Sequence, residues 1–442
     1  MSQFPQQLIR PDLRSFAGYS SARTSFEGPP ARIWLNANEA AEANHVDPEG
    51  QARRYPAPQP AALRDALASY LGAPSGNILL ARGSDETIDV LVRGLCPPGG
   101  NNGIVICSPT FGMYAVAAAL LGVPVHDVPQ VDTGRSFAHD LGRVAQTARD
   151  TNARIVFLAS PDNPTGASID LASIAALASE LSSQALVVID EAYAEFAGNA
   201  AARPRGADRN HRAVGSGGED RYHGAVGSAG DGGSAIALID EHPNLAVLRT
   251  MSKAHALAGA RVGALVAHPE LIAVLRRVQA PYPMPTPVVD LALAALSPEA
   301  IENTRQRVAA TIALRPRLHE VVADHPGVRS VYCGEGNFVL ARCHAAASDL
   351  DTASNTDPNA ESDGADSVLA DAARSGIAVR DMRHLPGLAD AVRVSVGTAE
   401  EIEALALAIS LSATQSSDGQ PPTSTPGSTF EPTPASHDEG RS

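Results

Sequence analysis

Lysine is nearly missing from these 442 residues: of 34 Lys+Arg, one is a lysine, Lys253, in the stretch RTMSKAHALAGAR (249–261). Arginine therefore does almost all the cationic work, holding carboxylates and phosphates and solvating the surface. A lysine kept against that bias points to something arginine cannot do. Arginine stays protonated at any ordinary pH, whereas a desolvated lysine amine can lose its proton and attack a carbonyl carbon. Positive charge is short overall. The net charge of −15 argues against nucleic acid or an anionic membrane as the main partner. Cysteine is scarce too. Cys96, Cys107, Cys333 and Cys343 form no C-x-x-C pair and no histidine cluster at metal-ligand spacing accompanies them. No metal is expected, and the thiols read as buried and free in a reducing cytosol. Long apolar runs are absent: the longest, near YAVAAALLGVPV (114–125), is too short for a bilayer and is broken by Pro124. The opening MSQFPQQLIRPDLR lacks the charged region and apolar core of a signal peptide. A cytoplasmic enzyme is the resulting expectation.

What is present is an alternation. The aliphatic runs NILLARG (77–83), GIVICS (103–108), RIVFLAS (154–160), ALVVID (185–190), LAVLRT (245–250) and VGALVA (262–267) read as strands buried on both faces. Helical patterns separate several of them. In PAALRDALASYLG the residues Leu63, Ala66, Leu67, Tyr70 and Leu71 share one face, and DETIDVLVRGL and DLASIAALASEL each open on an acidic residue. This predicts an α/β fold with a mostly parallel sheet. From about residue 270 a long helical segment, PEAIENTRQRVAATIALRPRLHEVVAD, and the separated strands NFVLARC and AVRVSVGT predict a smaller α+β domain. The expected division is a large domain over 47–270 and a small one built from 1–46 and 271–413. Ala197–Ser234, His344–Asp366 and Thr414–Ser442 have too little apolar content to offset ordering entropy and read as two disordered inserts and a disordered tail.

Lys253 follows the strand LAVLRT and precedes an Ala-rich helix expected to begin near His255. The C-terminal ends of such strands are where α/β folds bind ligands. Thr250, Ser252 and Arg261 bracket the lysine with groups that suit a phosphate. A nucleophilic lysine beside a phosphate site suggests pyridoxal 5′-phosphate. That cofactor needs a carboxylate at its pyridine nitrogen, and VVIDEAYAEF offers Asp190 at a strand end, although a lone Asp there is more often a helix cap or a solvated turn. Tyr193 and, in SPDNPTG (160–166), Asn163 suit the phenolic oxygen, while Asn-Pro also marks an ordinary turn. Gly83, Ser84 and Asp85 lie between a strand and a helix, where backbone amides can hold a phosphate. Phe111 in SPTFGMY can stack on the ring.

These stretches, with YSSAR (19–23), WLNANE (34–39), RRYPAPQP (53–60), LRTMSKAHALAGARVG (248–263), APYPMPTPV (280–288) and AVRVSVGT (391–398), resemble the fold type I, aspartate-aminotransferase-like enzymes. Within that group the chain resembles the histidinol-phosphate aminotransferase family. The resemblance implies transamination of L-histidinol phosphate with 2-oxoglutarate, to imidazole acetol phosphate and glutamate, in histidine biosynthesis. It implies a homodimer with shared active sites. It gives Lys253 the covalent cofactor link and the proton transfer, Asp190 the pyridine nitrogen, Asn163 and Tyr193 the phenolic oxygen, and Phe111 the ring face, where the family usually has tyrosine. Ser84, Asp85, Ser252 and Arg261 fall around the phosphate, and Tyr55 reaches the partner subunit's cofactor. Arg393 falls to the substrate carboxylate or phosphate, with Tyr19 and Arg380 adding to the phosphate site. NEAAEANH departs from the family, which usually continues after Asn-Glu with an aromatic and a proline. The rival expectations are an aromatic-amino-acid aminotransferase, a threonine-phosphate decarboxylase of the same group and, more distantly, a non-catalytic cofactor-binding regulator. The regulator would carry a basic helix-turn-helix module, and none precedes residue 19.

Overall fold

The computed structural model describes residues 4–20, 33–197, 233–345 and 364–417. The strands in chain order are β1 (Ile78–Ala81), β2 (Ile104–Ile106), β3 (Val125–Asp127), β4 (Val131–Asp132), β5 (Phe137–Ala138), β6 (Ile155–Ala159), β7 (Leu186–Asp190), β8 (Leu245–Thr250), β9 (Gly263–Ala267), β10 (Val328–Val331), β11 (Phe338–Cys343), β12 (Arg380–Asp381) and β13 (Ala391–Ser395). The helices are α1 (Ala61–Leu71), α2 (Gly83–Leu95), α3 (Met113–Leu121), α4 (Leu141–Asp150), α5 (Leu171–Glu180), α6 (Pro269–Val278), α7 (Thr286–Ala295), α8 (Pro298–Ala323), α9 (Gly364–Arg374) and α10 (Ala399–Ser417).

Among the described residues the central sheet has seven strands in the order β1-β9-β8-β7-β6-β2-β3. Its neighbours pair in parallel from β8 to β3, while β9 is antiparallel to both β8 and β1. The strands are apolar throughout because each face is covered. Along β6, Val156 and Leu158 enter one core and Ile155 and Phe157 the other. The first core takes Leu63 and Leu67 of α1, Val144 and Ala148 of α4, and Ile174 and Leu177 of α5. The second takes Ile88 and Leu91 of α2, Tyr114 and Ala117 of α3, and Leu271 and Leu275 of α6. Of the two acidic residues foreseen at helix starts, Asp170 caps α5, accepting from the Ser173 amide at 2.8 Å, whereas Asp85 lies inside the first turn of α2, which has no side-chain cap; α4 is capped by Asp140, which accepts from the Arg143 amide at 3.0 Å.

The smaller unit is a four-stranded antiparallel sheet, order β10-β11-β13-β12. Its core joins Leu318, Val321 and Val322 of α8 to Val368 of α9 and Ile402 and Leu405 of α10. Packing crosses the expected border at residue 270. Leu271 and Leu275 lie in the second core of the large sheet, and Val289 and Ala292 of α7 in the first. Phe4, Leu8 and Ile9 also enter the second core, although they precede residue 47. An amphipathic helix carries no mark in sequence of which sheet it will cover. Of the expected inserts and tail, residues 198–232, 346–363 and 418–442 lie outside the described residues. At their edges α9 starts at Gly364 and α10 runs on to Ser417, past the expected limits of 366 and 413.

Candidate active site

β1, β2, β6, β7 and β8 all end at the same edge of the sheet, and β9 starts there, with Thr250 opposite Gly263 and Ala81 opposite Gly263. The turns that leave this edge carry the predicted residues. Lys253 sits three residues beyond β8, but no α-helix follows it. Ala256 and Arg261 take left-handed backbone angles (φ 56° and 55°), and only a 3-10 turn spans Ala258–Ala260. The reason is topological: β9 returns antiparallel to β8, so the chain must reverse within a dozen residues. The lysine side chain opens into the cleft, its Nζ 5.5 Å from the centroid of the Tyr193 ring. Desolvation by the cleft walls, then the Arg393 charge, hold its pKa below the usual lysine value; Arg261 adds to this and Asp85 and Asp190 oppose it.

Asp190, the last residue of β7, is 4% exposed. Its carboxylate accepts from Tyr114 Oη at 2.8 Å and from the Ala192 amide at 3.0 Å. Burial pushes its pKa up to about 6, against the pull of those two hydrogen bonds. Its neighbour Glu191 turns away. It pairs with Arg249 at 2.9 Å and accepts from Ser234 Oγ and from the Ala235 amide at 2.7 Å, which pins the chain where it resumes after residue 232. Tyr193 is buried edge-on against Phe338, and burial raises its phenol to about 12. Phe111 lies half-buried, edge-on to Tyr114 at 5.8 Å.

The start of α2 has no side-chain cap, so its first amides are open toward the same edge. A Cβ at Gly263 would come 2.6 Å from the Gly83 carbonyl carbon and 2.9 Å from the Ser84 nitrogen, so only glycine lets β9 approach α2 this closely. Arg261 Nη2 meets Asp85 Oδ2 at 2.8 Å, and Thr250 Oγ1 and Ser252 Oγ lie 2.9 Å apart. The Asp85 carboxylate therefore aims Arg261, leaving its amide as the group that could face an anion. Open amides, hydroxyls and a guanidinium form a cradle for a phosphate.

On the other side, Arg393 of β13 donates to the Asn163 side-chain oxygen and stacks over Phe338 at 5.3 Å. Its Nε is buried without a hydrogen-bond partner among the described residues. Arg380 stands opposite Arg393 in the register of β12 and β13. No carboxylate of the described residues pairs with either, which leaves two adjacent guanidiniums for an anion to bridge.

Two expected residues lie apart from this group. Tyr55 is 51% exposed, stacked on Tyr282 at 4.7 Å, and its amide donates to Glu39 Oε1 at 2.8 Å. Glu39 also binds Arg54 at 2.6 Å, so in this chain the Glu of NEAAEANH organises the Tyr55 turn. Tyr19 is 68% exposed and lines a cavity of about 150 Å³ with Arg276, Arg277 and Pro281. Sequence reasoning missed Tyr114 and Asp162. Tyr114 stands in the same SPTFGMY stretch as Phe111, at the start of α3, which was the available signal. Nothing in SPDNPTG told that Asp162 would turn inward.

Residues 27–409 match the model of the aminotransferase class I and II family, and the chain belongs to that family of enzymes. Among curated relatives, the histidinol-phosphate aminotransferase of Stenotrophomonas maltophilia (strain R551-3) is 46% identical over 403 residues, covering 91% of this chain and 96% of the relative. That of Xanthomonas euvesicatoria pv. vesicatoria is 46% identical over 395 residues, covering 89% and 93%. Within the class, the chain is a member of the histidinol-phosphate aminotransferase family. Solved structures share the fold. Histidinol-phosphate aminotransferase from Sinorhizobium meliloti, in complex with pyridoxal-5′-phosphate, superposes with a TM-score of 0.64 at 24% identity, covering 86% of this chain and 90% of that one. N-succinyldiaminopimelate aminotransferase from Mycobacterium tuberculosis gives 0.60 at 22%, covering 82% and 86%. No helix among the described residues is long and apolar enough to cross a membrane.

Proposed function

We propose that this aminotransferase uses pyridoxal 5′-phosphate to move the amino group between L-histidinol phosphate and 2-oxoglutarate, yielding imidazole acetol phosphate and L-glutamate, in histidine biosynthesis. The observation that carries the reading is the pairing of the sole lysine, its pKa lowered, with a buried carboxylate across the same cleft. The cleft fits the cofactor. Asp190 is a buried acid that a ring nitrogen cation would stabilise, and the cradle at Gly83–Asp85 is open where a phosphate belongs. When bound, pyridoxal phosphate supplies an aldehyde carbon for amines and a protonated ring that accepts an electron pair from the substrate's Cα.

The chain's own residues supply the rest. We assign Asp190 to the pyridine nitrogen, with Asn163 and Tyr193 at the phenolic oxygen and Phe111 over the ring. Ser84, Asp85, Ser252 and Arg261 go to the phosphate, Asp85 through its amide and through its hold on Arg261. Lys253 would hold the cofactor at its aldehyde carbon, and its amine would move a proton between the substrate's Cα and that carbon. Its lowered pKa raises the share of amine free to do so. Arg393 binds the carboxylate of glutamate or the phosphate of histidinol phosphate, and Arg380 adds to the phosphate site; Tyr19, which lies apart on its own subunit, would add to it only in the partner's cleft. Tyr55, exposed on its own subunit, serves the partner subunit's cofactor in a homodimer. The reading places the enzyme in the cytoplasm, with small molecules as its only substrates and no nucleic acid or membrane partner.

The test is to add L-histidinol phosphate, L-phenylalanine and O-phospho-L-threonine separately to the cofactor-loaded protein and follow the visible absorbance. Conversion to the pyridoxamine form by histidinol phosphate, reversed by 2-oxoglutarate, is expected. A preference for phenylalanine, or release of carbon dioxide from phosphothreonine, would replace the substrate assignment.

A further inference from the structure

Asp162 is fully buried, yet it belongs to neither the phosphate cradle nor the arginine pair. Its Oδ1 accepts from Thr110 Oγ1 at 2.7 Å. Its Oδ2 accepts from Gln130 Nε2, with Thr165 Oγ1 at 3.4 Å. Gln130 in turn reaches the carbonyls of Cys107 and Pro109 at 3.1 and 2.9 Å, and its side-chain oxygen accepts from Thr165 at 3.2 Å. The donors converge on one carboxylate from three separate turns. Thr110 directly precedes Phe111, and Asp162 directly precedes Asn163, which takes a bond from Arg393. A continuous path runs Phe111–Thr110, across to Asp162–Asn163, and on to Arg393.

We propose that Asp162 is a positioning residue that locks the turn bearing Phe111 to the turn bearing Asn163 and so sets the slot in which the cofactor ring lies. The inference rests on the pyridoxal phosphate reading above. A buried carboxylate is costly to keep unless its acceptor sites are filled. Here they are filled by side chains whose other bonds hold the two turns. A neutral asparagine in its place would present an NH₂ group to at least one of the donors and leave a buried donor unmatched. A carboxylate at this place thus specifies the separation of the turns, which a merely space-filling residue would not.

The experiment uses four full-length proteins: wild type, Asp162→Asn, Thr110→Val and Thr110→Ser. Each is stripped of cofactor and titrated with pyridoxal 5′-phosphate, and the bound form is examined by visible circular dichroism, which reports how the ring is held. Thermal melts of the cofactor-free proteins are run in parallel. Asp162→Asn and Thr110→Val are expected to weaken binding about tenfold and to change the visible dichroic band. Thr110→Ser, which keeps the hydroxyl, is expected to restore both to near wild type. Wild-type binding and an unchanged band in Thr110→Val overturn the proposal. So does a loss in Thr110→Ser equal to that in Thr110→Val, or a loss that merely tracks a lowered melting temperature. Failure of the wild type to bind pyridoxal phosphate overturns the reading of the site, and this inference with it.

Discussion

At the scale of single residues, the site depends on properties that close relatives in size or charge lack. Lys253→Arg keeps a cation and removes the ionisable amine. Turnover of histidinol phosphate is expected to fall to the same floor as in Lys253→Ala, with about 10²–10⁴-fold of that loss from proton transfer alone; steady-state assays of both variants check it. Asp190 carries a second prediction, in the cofactor-free protein. Its folded pKa of about 6 lies above the ordinary value of 3.8. Between those limits the native state holds a proton that the unfolded chain has released. This group's contribution is therefore full below about pH 4 and fades as pH rises through about 6. Asp190→Asn removes the penalty, so its urea midpoint at pH 7 is expected to exceed wild type by the equivalent of about 1–3 kcal/mol, the gap closing by pH 4. Tyr114→Phe should act in the opposite sense. The lost hydrogen bond favours the ionised carboxylate, so the decline with rising pH extends further up the scale, measurable in the same urea titrations.

At the scale of elements, the junction of β9 with α2 decides whether the phosphate cradle exists. Gly263→Ala would force its Cβ against the Gly83 and Ser84 backbone, an overpacking that costs about 1–3 kcal/mol and shifts the first turn of α2. The expected outcome is a lower urea midpoint together with about tenfold weaker pyridoxal phosphate binding, read by fluorescence titration. Elements were legible in the sequence where a local pattern decided them. LAVLRT became β8 without adjustment, and VGALVA became β9 but for its first residue, because buried strands announce themselves by continuous aliphatic character. The stretch after Lys253 misled for the converse reason. Alanines favour a helix locally, but the antiparallel return of β9 overrode that propensity. Lys253, Asp190 and Asn163 could be proposed from sequence because each bears a functional group at or just beyond a strand end. Tyr114 and Asp162 were not, because what matters in them is an inward direction fixed only by packing.

At the scale of the whole molecule, two arrangements reach beyond one cleft. Tyr55 is turned outward on its own subunit, held by Glu39 and stacked on Tyr282. If it completes a neighbour's site, inactive Lys253→Ala and impaired Tyr55→Ala subunits will complement one another. Mixed, unfolded and refolded together, they should form hybrids in which one of the two clefts carries neither change; activity above that of either parent alone is the expected result, and its absence would assign Tyr55 to its own subunit. The other arrangement is the anchoring at residues 196 and 234. Phe196 is buried beside Tyr193, Ala254 and Phe338, and the returning chain is held on Glu191 through Ser234 and Ala235. Departure and return are each fastened to the scaffold by contacts among the described residues. Evolution could therefore lengthen or shorten the intervening stretch without retuning the catalytic machinery, and a protein engineer can treat it as a socket. Replacement of residues 198–232 by a short linker is expected to leave kcat and KM for histidinol phosphate near wild type, which steady-state assays check.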